Sequence, residues 1–182
     1  MRSDIERHVI RLLHGGHALE RGERAAIINA LGPEGLEVLR GIAKGDIAVE
    51  HPKLRLKAIS ALGVDETEPE LSARILSDLV NEGPPRVSIQ AVRALGRSPA
   101  RGREQFRALV RDPATPPAVA LAAARVAAQA GGEDVVADLR DLRRRLRAYV
   151  ERDDSPSLLS IDRLIAEARF GPRAPEGPQP IS

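Results

Sequence analysis

The segment PKLRLKAISALG, residues 52–63, returns with the same apolar pattern as PRVSIQAVRALG at residues 85–96, 33 positions later. A weaker copy, ERAAIINALG, occupies residues 23–32, and another, PAVALAAARV, occupies residues 117–126. Four copies at a period near 32 residues indicate a repeat array. In such an array each repeat buries its apolar stripe against its neighbours.

Each copy predicts a helix. A proline suits the first turn, apolar residues follow at spacings of three and four, and the glycine is expected to supply a left-handed C-terminal cap. A further apolar stripe after each copy predicts a second helix. Two of these second helices have start signals, the capping box at residues 67–70 and the pair Ser98-Pro99. The predicted second helices span residues 34–43, 68–80, 99–111 and 133–150.

The predicted fold class is all-α, a short right-handed α-solenoid of about four helix pairs with a capping helix at each end. A capping-box pattern at residues 3–6 starts the first cap, and Ser155-Pro156 starts the last helix. The alternative for the last helix is a detachable element that docks on a partner or on a second copy of the chain. The expected organisation is an N-terminal capping helix at 1–19, the repeat array at 20–150, a C-terminal helix at 151–170 and a disordered tail at 171–182.

Over roughly residues 20–147 the chain resembles HEAT-repeat proteins of the bacterial HEAT-like, lyase-related type. The features that match are the proline, the phased apolar positions and the Ala-Leu-Gly ending of the first helix. In that family an arginine early in the first helix often forms a ladder with loop aspartates. Arg24 and Arg55 keep this arginine, whereas Ser88 and Ala120 replace it. The resemblance therefore implies HEAT-like pairs, with the ladder restricted to the first two copies.

Composition excludes several classes of protein. The 28 basic and 26 acidic residues leave a net charge of +2, which is not the balance of a nucleic-acid-binding protein. The absence of cysteine excludes disulfides, thiolate nucleophiles and Cys-ligated metals. The N-terminus shows no apolar leader, and no run of about 18 apolar residues occurs. A cytoplasmic protein without a membrane segment is therefore expected.

No catalytic or metal-binding set stands out in the sequence. His8, His14 and His17 lie close together with Glu20 as the one obvious acidic neighbour, a pattern that favours a solvent-exposed turn over a metal site. Neither a metal nor a cofactor is expected. Two HEAT-like enzyme groups are disfavoured. The deoxyhypusine hydroxylases use His-Glu pairs, and this chain contains none. The alkylpurine DNA glycosylases use aromatic residues, and this chain contains few. Phycobilin-lyase-type HEAT proteins remain open.

Charge supplies the candidate binding site. Seven arginines and one acid lie between Arg86 and Arg111. On the predicted second helix of that repeat, three of the arginines are four residues apart and form one stripe. Second helices line the concave face in HEAT-like arrays, so this stripe is expected to face a partner, the alternative being an ordinary solvated face. The predicted partner-binding residues are Arg97, Arg101, Arg103, Arg107 and Arg111.

The sequence therefore favours a non-enzymatic protein–protein interaction scaffold that binds an acidic protein partner on its concave face. A nucleic-acid or membrane partner is not expected, and the oligomeric state is left open. Two alternatives stand beside this interpretation. One is an enzyme or enzyme subunit of the lyase-type HEAT family, and the other is a nucleic-acid-binding HEAT-like protein.

Overall fold

The computed structural model describes residues 3–15, 21–98, 103–150 and 155–171, and for residues 21–24 and 103 it describes the backbone alone. All the regular structure in these ranges is helical, which confirms the predicted all-α class for this part of the chain. The helices are α1 (Asp4–His14), α2 (Arg21–Lys44), α3 (Pro52–Leu62), α4 (Pro69–Glu82), α5 (Pro85–Leu95), α6 (Arg103–Arg111), α7 (Pro117–Ala128), α8 (Glu133–Arg147) and α9 (Pro156–Phe170).

The chain divides into two compact units, and the first covers Met1–Arg101. Within this unit, α3 packs against α2 and α5, α4 packs mainly against α5, and α1 covers α2 and α3. Aliphatic side chains from these helices meet in one core. Its largest fully buried members are Leu13, Ile28, Leu39, Ile42, Ile59, Leu62 and Leu76.

The second unit covers Gly102–Ser182. Here α7 packs against α6 and α9, and α8 packs against α9 and α6. The last helix, α9, therefore lies docked on α7 and α8, as expected for a cap. Arg143 of α8 holds it from outside the core, with Nε 2.6 Å from Oδ1 of Asp162. The largest fully buried side chains of this unit are Phe106, Leu139, Leu142, Leu158 and Ile161.

The predicted helix starts are confirmed at the repeat prolines. Pro52, Pro85 and Pro117 each begin a helix, where the missing N–H of proline breaks no hydrogen bond. The first helix pair is continuous in α2 but sharply bent at Gly32, whose φ of 60° and ψ of −179° are not helical, and Pro33 follows. The helical segments 21–31 and 33–44 therefore correspond to the predicted first pair.

The expectation of left-handed glycine caps is wrong at two of the repeats. Gly63 has φ −68° and ψ −6°, and Gly96 has φ −61° and ψ −18°, so both remain in the right-handed helical region. The reason for a glycine at residue 63 is the close approach of α5. A Cβ at Gly63 would lie 2.4 Å from the carbonyl oxygen of Ala94. At this position glycine provides space for a neighbouring helix.

The capping box predicted at residues 67–70 is also wrong. Glu68 is the N-cap of α4 and its side chain makes no capping hydrogen bond. Asp65 instead fixes the turn that leads into α4, because its Oδ1 accepts hydrogen bonds from the backbone amides of Thr67 at 2.9 Å and Glu68 at 3.3 Å, which precede the first helical residue. At the start of α1 the prediction is confirmed, since the Ser3 hydroxyl accepts from the amide of Glu6 at 3.1 Å.

The C-terminal boundary of α8 differs from the expected one. Helix α8 ends at Arg147, three residues before the predicted end, because the amides of Ala148 and Tyr149 bond to carbonyls three residues back and close a turn. Tyr149 is consequently 76% exposed. Helix α6 begins at Arg103. The predicted start at Pro99 lies outside the described residues.

Candidate partner-binding surfaces

The five predicted partner-binding arginines are placed in different parts of the structure. Arg97 follows α5 in the first unit, whereas Arg107 and Arg111 lie on α6 in the second. Arg103 is the first residue of α6 and its side chain is not described, and Arg101 lies outside the described residues. Of the predicted set, the structure therefore brings together Arg107 and Arg111 on one helix.

Arg107 forms an internal bridge between α6 and α8. Its Nε donates to Oδ2 of Asp138 at 2.7 Å, and its Nη1 lies 2.6 Å from Oδ2 of Asp134 and 3.4 Å from Oε2 of Glu104. The side chain is 19% exposed. The hydrogen bond to Asp138 raises the pKa of Arg107 above its ordinary value, and the charges of the three carboxylates add to that effect. This arginine therefore connects two helices and is largely withdrawn from solvent.

We call the face of α6 that carries Arg103, Arg107 and Arg111 the α6 stripe. Around Arg111 this face also carries acidic charge. Arg111 forms an ion pair with Glu104 and keeps 47% of its side chain exposed. Arg145 of α8 donates to the carbonyl oxygens of Val110 and, at 2.9 Å, Asp112, and so satisfies acceptors at the C-terminal end of α6. The α6–α8 surface is consequently a mixed ionic surface, unlike the local excess of arginine in the sequence.

Replacing Arg107 by methionine is expected to lower the free energy of unfolding by about 1–3 kcal/mol, because three carboxylates lose their shared cation while the apolar stem is kept. Arg111→Met is the matched control and is expected to change it by less than about 0.5 kcal/mol, as at exposed sites generally. Urea unfolding followed by circular dichroism measures both. Equal effects would mean that Arg107 is an ordinary surface residue.

A second arginine network of the same pattern lies in the first unit. Arg40 of α2 is 3% exposed, and its Nη1 contacts Glu37 at 2.7 Å and Glu68 at 2.5 Å. In both networks an arginine bridges a glutamate three residues earlier and an acid at the start of a later helix. The recurrence of Glu-x-x-Arg at residues 37–40 and 104–107, two repeat periods apart, was the signal in the sequence that the charge count overlooked.

The Arg40 network also contains a fully buried carboxylate, Asp65. Oδ2 of Asp65 accepts from Nη2 of Arg40 at 3.1 Å and from the hydroxyl of Ser72 at 2.6 Å. Burial alone would raise the pKa of Asp65, but the hydrogen bonds from Ser72, from the backbone amides of Glu68 and Thr67 and from Arg40 outweigh it and hold the pKa below its ordinary value. The carboxylate is therefore ionised in the folded protein at neutral pH.

Helices α3 and α5, which pack against each other, carry charged side chains of one sign only. Neither helix contains an acidic residue. Helix α4, in contrast, contains Glu70, Asp78 and Glu82 against a single arginine, Arg74. The basic residues of α3 and α5 are Lys53, Arg55, Lys57, Arg86 and Arg93.

Two of these five basic residues stabilise neighbouring helix ends. Arg55 donates to the carbonyl oxygens of Ala43 at 3.0 Å and Lys44 at 2.7 Å, at the C-terminal end of α2. This corrects the expectation that Arg55 pairs with a loop aspartate, because carbonyl groups left open at the helix end are closer acceptors. Lys57 likewise donates to the carbonyl oxygen of Leu13 at 2.7 Å, near the end of α1.

The other three, Lys53, Arg86 and Arg93, are exposed and make no ion pair with any residue that the structure describes. We call these three residues the α3–α5 basic surface. The predicted Arg97 lies beside this surface, because its Nη2 donates to the carbonyl and hydroxyl oxygens of Ser60 on α3 at 3.3 and 3.0 Å. Counting the charged residues of each predicted helix separately, instead of along the chain, would have identified this surface from the sequence.

The described histidines do not form a metal-binding cluster. His8 is exposed and lines a shallow cleft of about 390 Å³ between α1 and α2, together with Asp4 and Glu34. His14 is the exposed last residue of α1, and His17 lies outside the described residues. Among the residues that the structure describes, no group of three or more histidine or acidic side chains is arranged to hold a metal ion.

Comparison with known proteins gives no relative of this chain. No protein-family model, no curated protein and no solved structure matches it. None of the described helices combines the length and the apolar character needed to span a membrane.

Proposed function

We propose that this protein is a non-enzymatic interaction scaffold, built as a HEAT-like α-solenoid, that binds an acidic segment of a partner protein. The observation that supports the proposal is the α3–α5 basic surface: two adjacent helices without an acidic residue carry three exposed basic side chains, Lys53, Arg86 and Arg93. A surface of one sign on a rigid pair of helices attracts and orients a segment of the opposite sign.

The spacing of the basic residues suggests how such a segment binds. Arg86 and Arg93 are seven residues apart, so they lie on the same face of α5 about 10 Å from each other. An extended segment in the polyproline II conformation covers that distance in about three residues and, with about three residues per turn, places residues three apart on the same side. Lys53 occupies on α3 the repeat position that Arg86 occupies on α5. Acidic residues three apart in an extended partner segment would therefore match the two arginines, with Lys53 beside them.

Protein is favoured over nucleic acid as the partner. Proteins that bind a phosphate backbone commonly make about 6–10 phosphate contacts, and this surface offers three exposed cations. The single-sign surface is also favoured over the α6 stripe. Arg107 there already contacts three carboxylates, which leaves Arg111 as the exposed cation with a described side chain on that helix.

The test is binding of a fluorescent peptide, measured by anisotropy at low and at physiological salt. The probe is an extended peptide with aspartates three apart, and its control is a peptide of the same composition with the aspartates clustered at one end. The parent chain is compared with a variant carrying Lys53→Glu, Arg86→Glu and Arg93→Glu. The matched control, which changes the net charge equally at other exposed positions, carries Arg11→Glu, Arg74→Glu and Arg140→Glu.

We expect the first variant to weaken binding of the spaced peptide at least about tenfold, while the control variant changes it by less than about twofold. Equal weakening by both variants would mean that net charge alone attracts the peptide, and absence of binding to the parent chain would overturn the proposal. Loss of binding on Arg111→Glu would move the site to α6. Preference for a DNA duplex, with a steep dependence on salt, would favour the nucleic-acid alternative.

A further inference from the structure

The outward face of α9 carries apolar side chains that the described residues of the second unit do not cover. The buried side of the helix, which includes Leu158 and Ile161, packs into the unit. On the opposite side Leu159 is 56% exposed and Phe170 is 83% exposed. Exposed apolar side chains gain free energy when a second protein surface buries them.

These two residues are part of one narrow stripe. Leu159, Arg163, Ala166 and Phe170 follow each other at spacings of four, three and four residues, so they lie on one face of the helix, and all four are exposed. Each residue adds a rotation of about 100° around the helix axis. Arg163 and Glu167 therefore both lie on the same side of the midline of this face. The stripe thus has an apolar side chain at each end and the small side chain of Ala166 near its centre. One flank carries a positive and a negative charge, those of Arg163 and Glu167.

We propose that this face, the α9 stripe, associates with the α9 stripe of a second copy of the chain in antiparallel orientation. Reversing the direction of the helix sets Leu159 against Phe170 of the second copy. Arg163 then stands within one residue rise, about 1.5 Å along the axis, of the level of Glu167 of the second copy. Both are on the same side of the interface, because a twofold axis across two antiparallel helices brings equal flanks together. Each contact occurs twice, and the interface closes as a dimer.

The small residue near the centre favours the close approach that these contacts need. Helices pack with their axes about 8–10 Å apart, and the distance depends on the side chains at the contact. Ala166 is exposed and carries only a methyl group where the two helices would cross. The larger side chains Leu159 and Phe170 stand about 16 Å apart along the axis, on either side of it. They can therefore meet their counterparts without holding the helices apart at the centre.

The structure leaves the charged flank available for this contact. Arg163 pairs within its own helix with Glu167 at 2.9 Å, but the two side chains are 81% and 36% exposed, and pairs of this kind contribute little to stability. A carboxylate can accept from more than one donor, so Glu167 can keep this pair and also bind Arg163 of the second copy. Helix α9 is held in place from another side by Arg143, which donates to both carboxylate oxygens of Asp162. The stripe is thus presented on a fixed element.

The size of the interface sets its strength. Stable dimers commonly bury about 1,200–2,000 Å² in total, and two 15-residue helices in contact fall below that range. The dimer is therefore a weak one that forms as concentration rises. Sedimentation equilibrium of the full chain up to about 500 µM should show a mass that rises from 19.6 kDa towards twice that value.

Charge reversal tests the register. Arg163→Glu sets like charges together across the twofold axis, and so does Glu167→Arg, so each variant should dimerise about tenfold more weakly than the parent chain. A mixture of the two variants should associate again, because a chain with two negative positions then meets a chain with two positive ones. Both variants lose the pair within α9, so the mixture separates the contact between copies from that loss.

Two further variants complete the test. Leu159→Ser combined with Phe170→Ser should abolish association, because it removes the apolar contact at both ends of the stripe. Arg140→Glu, an exposed change of charge on α8, is the matched control and should leave association unchanged. Circular dichroism of each variant shows whether the helix content is kept.

Three results would overturn the proposal. The first is a parent mass of 19.6 kDa at every concentration. The second is association that survives the serine variant, and the third is a mixture of the two charge variants that associates no better than its components. These results are independent of the α3–α5 basic surface, which lies in the other unit.

Discussion

Replacement of Asp65 by alanine is expected to lower the free energy of unfolding by about 3–5 kcal/mol, the usual cost of removing one partner of a buried ion pair. Asp65 is 0% exposed and Arg40 is 3% exposed. The substitution takes the charge partner from Arg40 and the acceptor from the Ser72 hydroxyl, and it also removes the acceptor for the backbone amides of Thr67 and Glu68 before α4. Urea unfolding at pH 7, followed by circular dichroism, measures the loss.

Two further variants separate the contributions. Asp65→Asn keeps an oxygen that can accept from the amides of Thr67 and Glu68 but removes the charge. It should therefore lower the free energy of unfolding, but by less than Asp65→Ala does. Asp78→Ala removes an exposed acid of α4 and should change stability by less than about 0.5 kcal/mol. If Asp65→Ala costs no more than Asp78→Ala, the buried network does not stabilise the fold.

The effect of Asp65 should also depend on pH in a definite direction. Its pKa is lower in the folded than in the unfolded chain, where aspartate titrates near about 4. The folded state therefore binds its proton less readily, and the stabilisation is fully present above about pH 4 and is lost as the pH falls through the folded pKa. The difference in unfolding free energy between the parent chain and Asp65→Ala should shrink below about pH 4. A constant difference down to about pH 2 would contradict this assignment.

Local signals in the sequence were sufficient to find the helices. The prolines at residues 52, 85 and 117 begin helices, and Ser3 caps α1, because each of these effects acts within one turn of the chain. Apolar spacing likewise placed Leu62 and Leu139 in the cores. At these positions the signal in the sequence lies within about four residues, and the sequence and the structure agree.

Charge contacts between helices were not predictable in the same way. Arg107 belongs to a stretch of seven arginines, yet its partners Asp134 and Asp138 come from a helix about 30 residues later. Arg40 and Asp65 are separated by 25 residues. Counting charge along the chain describes the unfolded polymer, whereas the field at a surface depends on which helices the fold places side by side. This is why the α6 stripe carries charges of both signs, whereas the α3–α5 basic surface carries positive charge alone.

Replacement of Gly63 by alanine is expected to destabilise the protein by about 1–3 kcal/mol or more, the cost of forcing extra volume into a packed site. The backbone conformation alone would predict stabilisation, because φ −68° and ψ −6° suit alanine. Such a change commonly stabilises a protein by about 0.4–1 kcal/mol, because it lowers the conformational entropy of the unfolded chain. The contact decides between the two effects. The new Cβ would lie 2.4 Å from the carbonyl oxygen of Ala94 and 2.8 Å from its carbonyl carbon, and backbone atoms of a packed helix cannot turn aside as a side chain can.

The expected response is therefore a displacement of α5 from α3, which also perturbs the hydrogen bonds from Arg97 to Ser60. Gly15→Ala is the matched control, since φ there is −73° and the nearest atoms to its Cβ lie at 3.8 Å. Thermal unfolding of both variants should separate them, with Gly63→Ala lower and Gly15→Ala unchanged or slightly higher. Equal midpoints would mean that α3 and α5 are not held at van der Waals contact. In that case the spacing of Lys53, Arg86 and Arg93 would not be fixed by the fold.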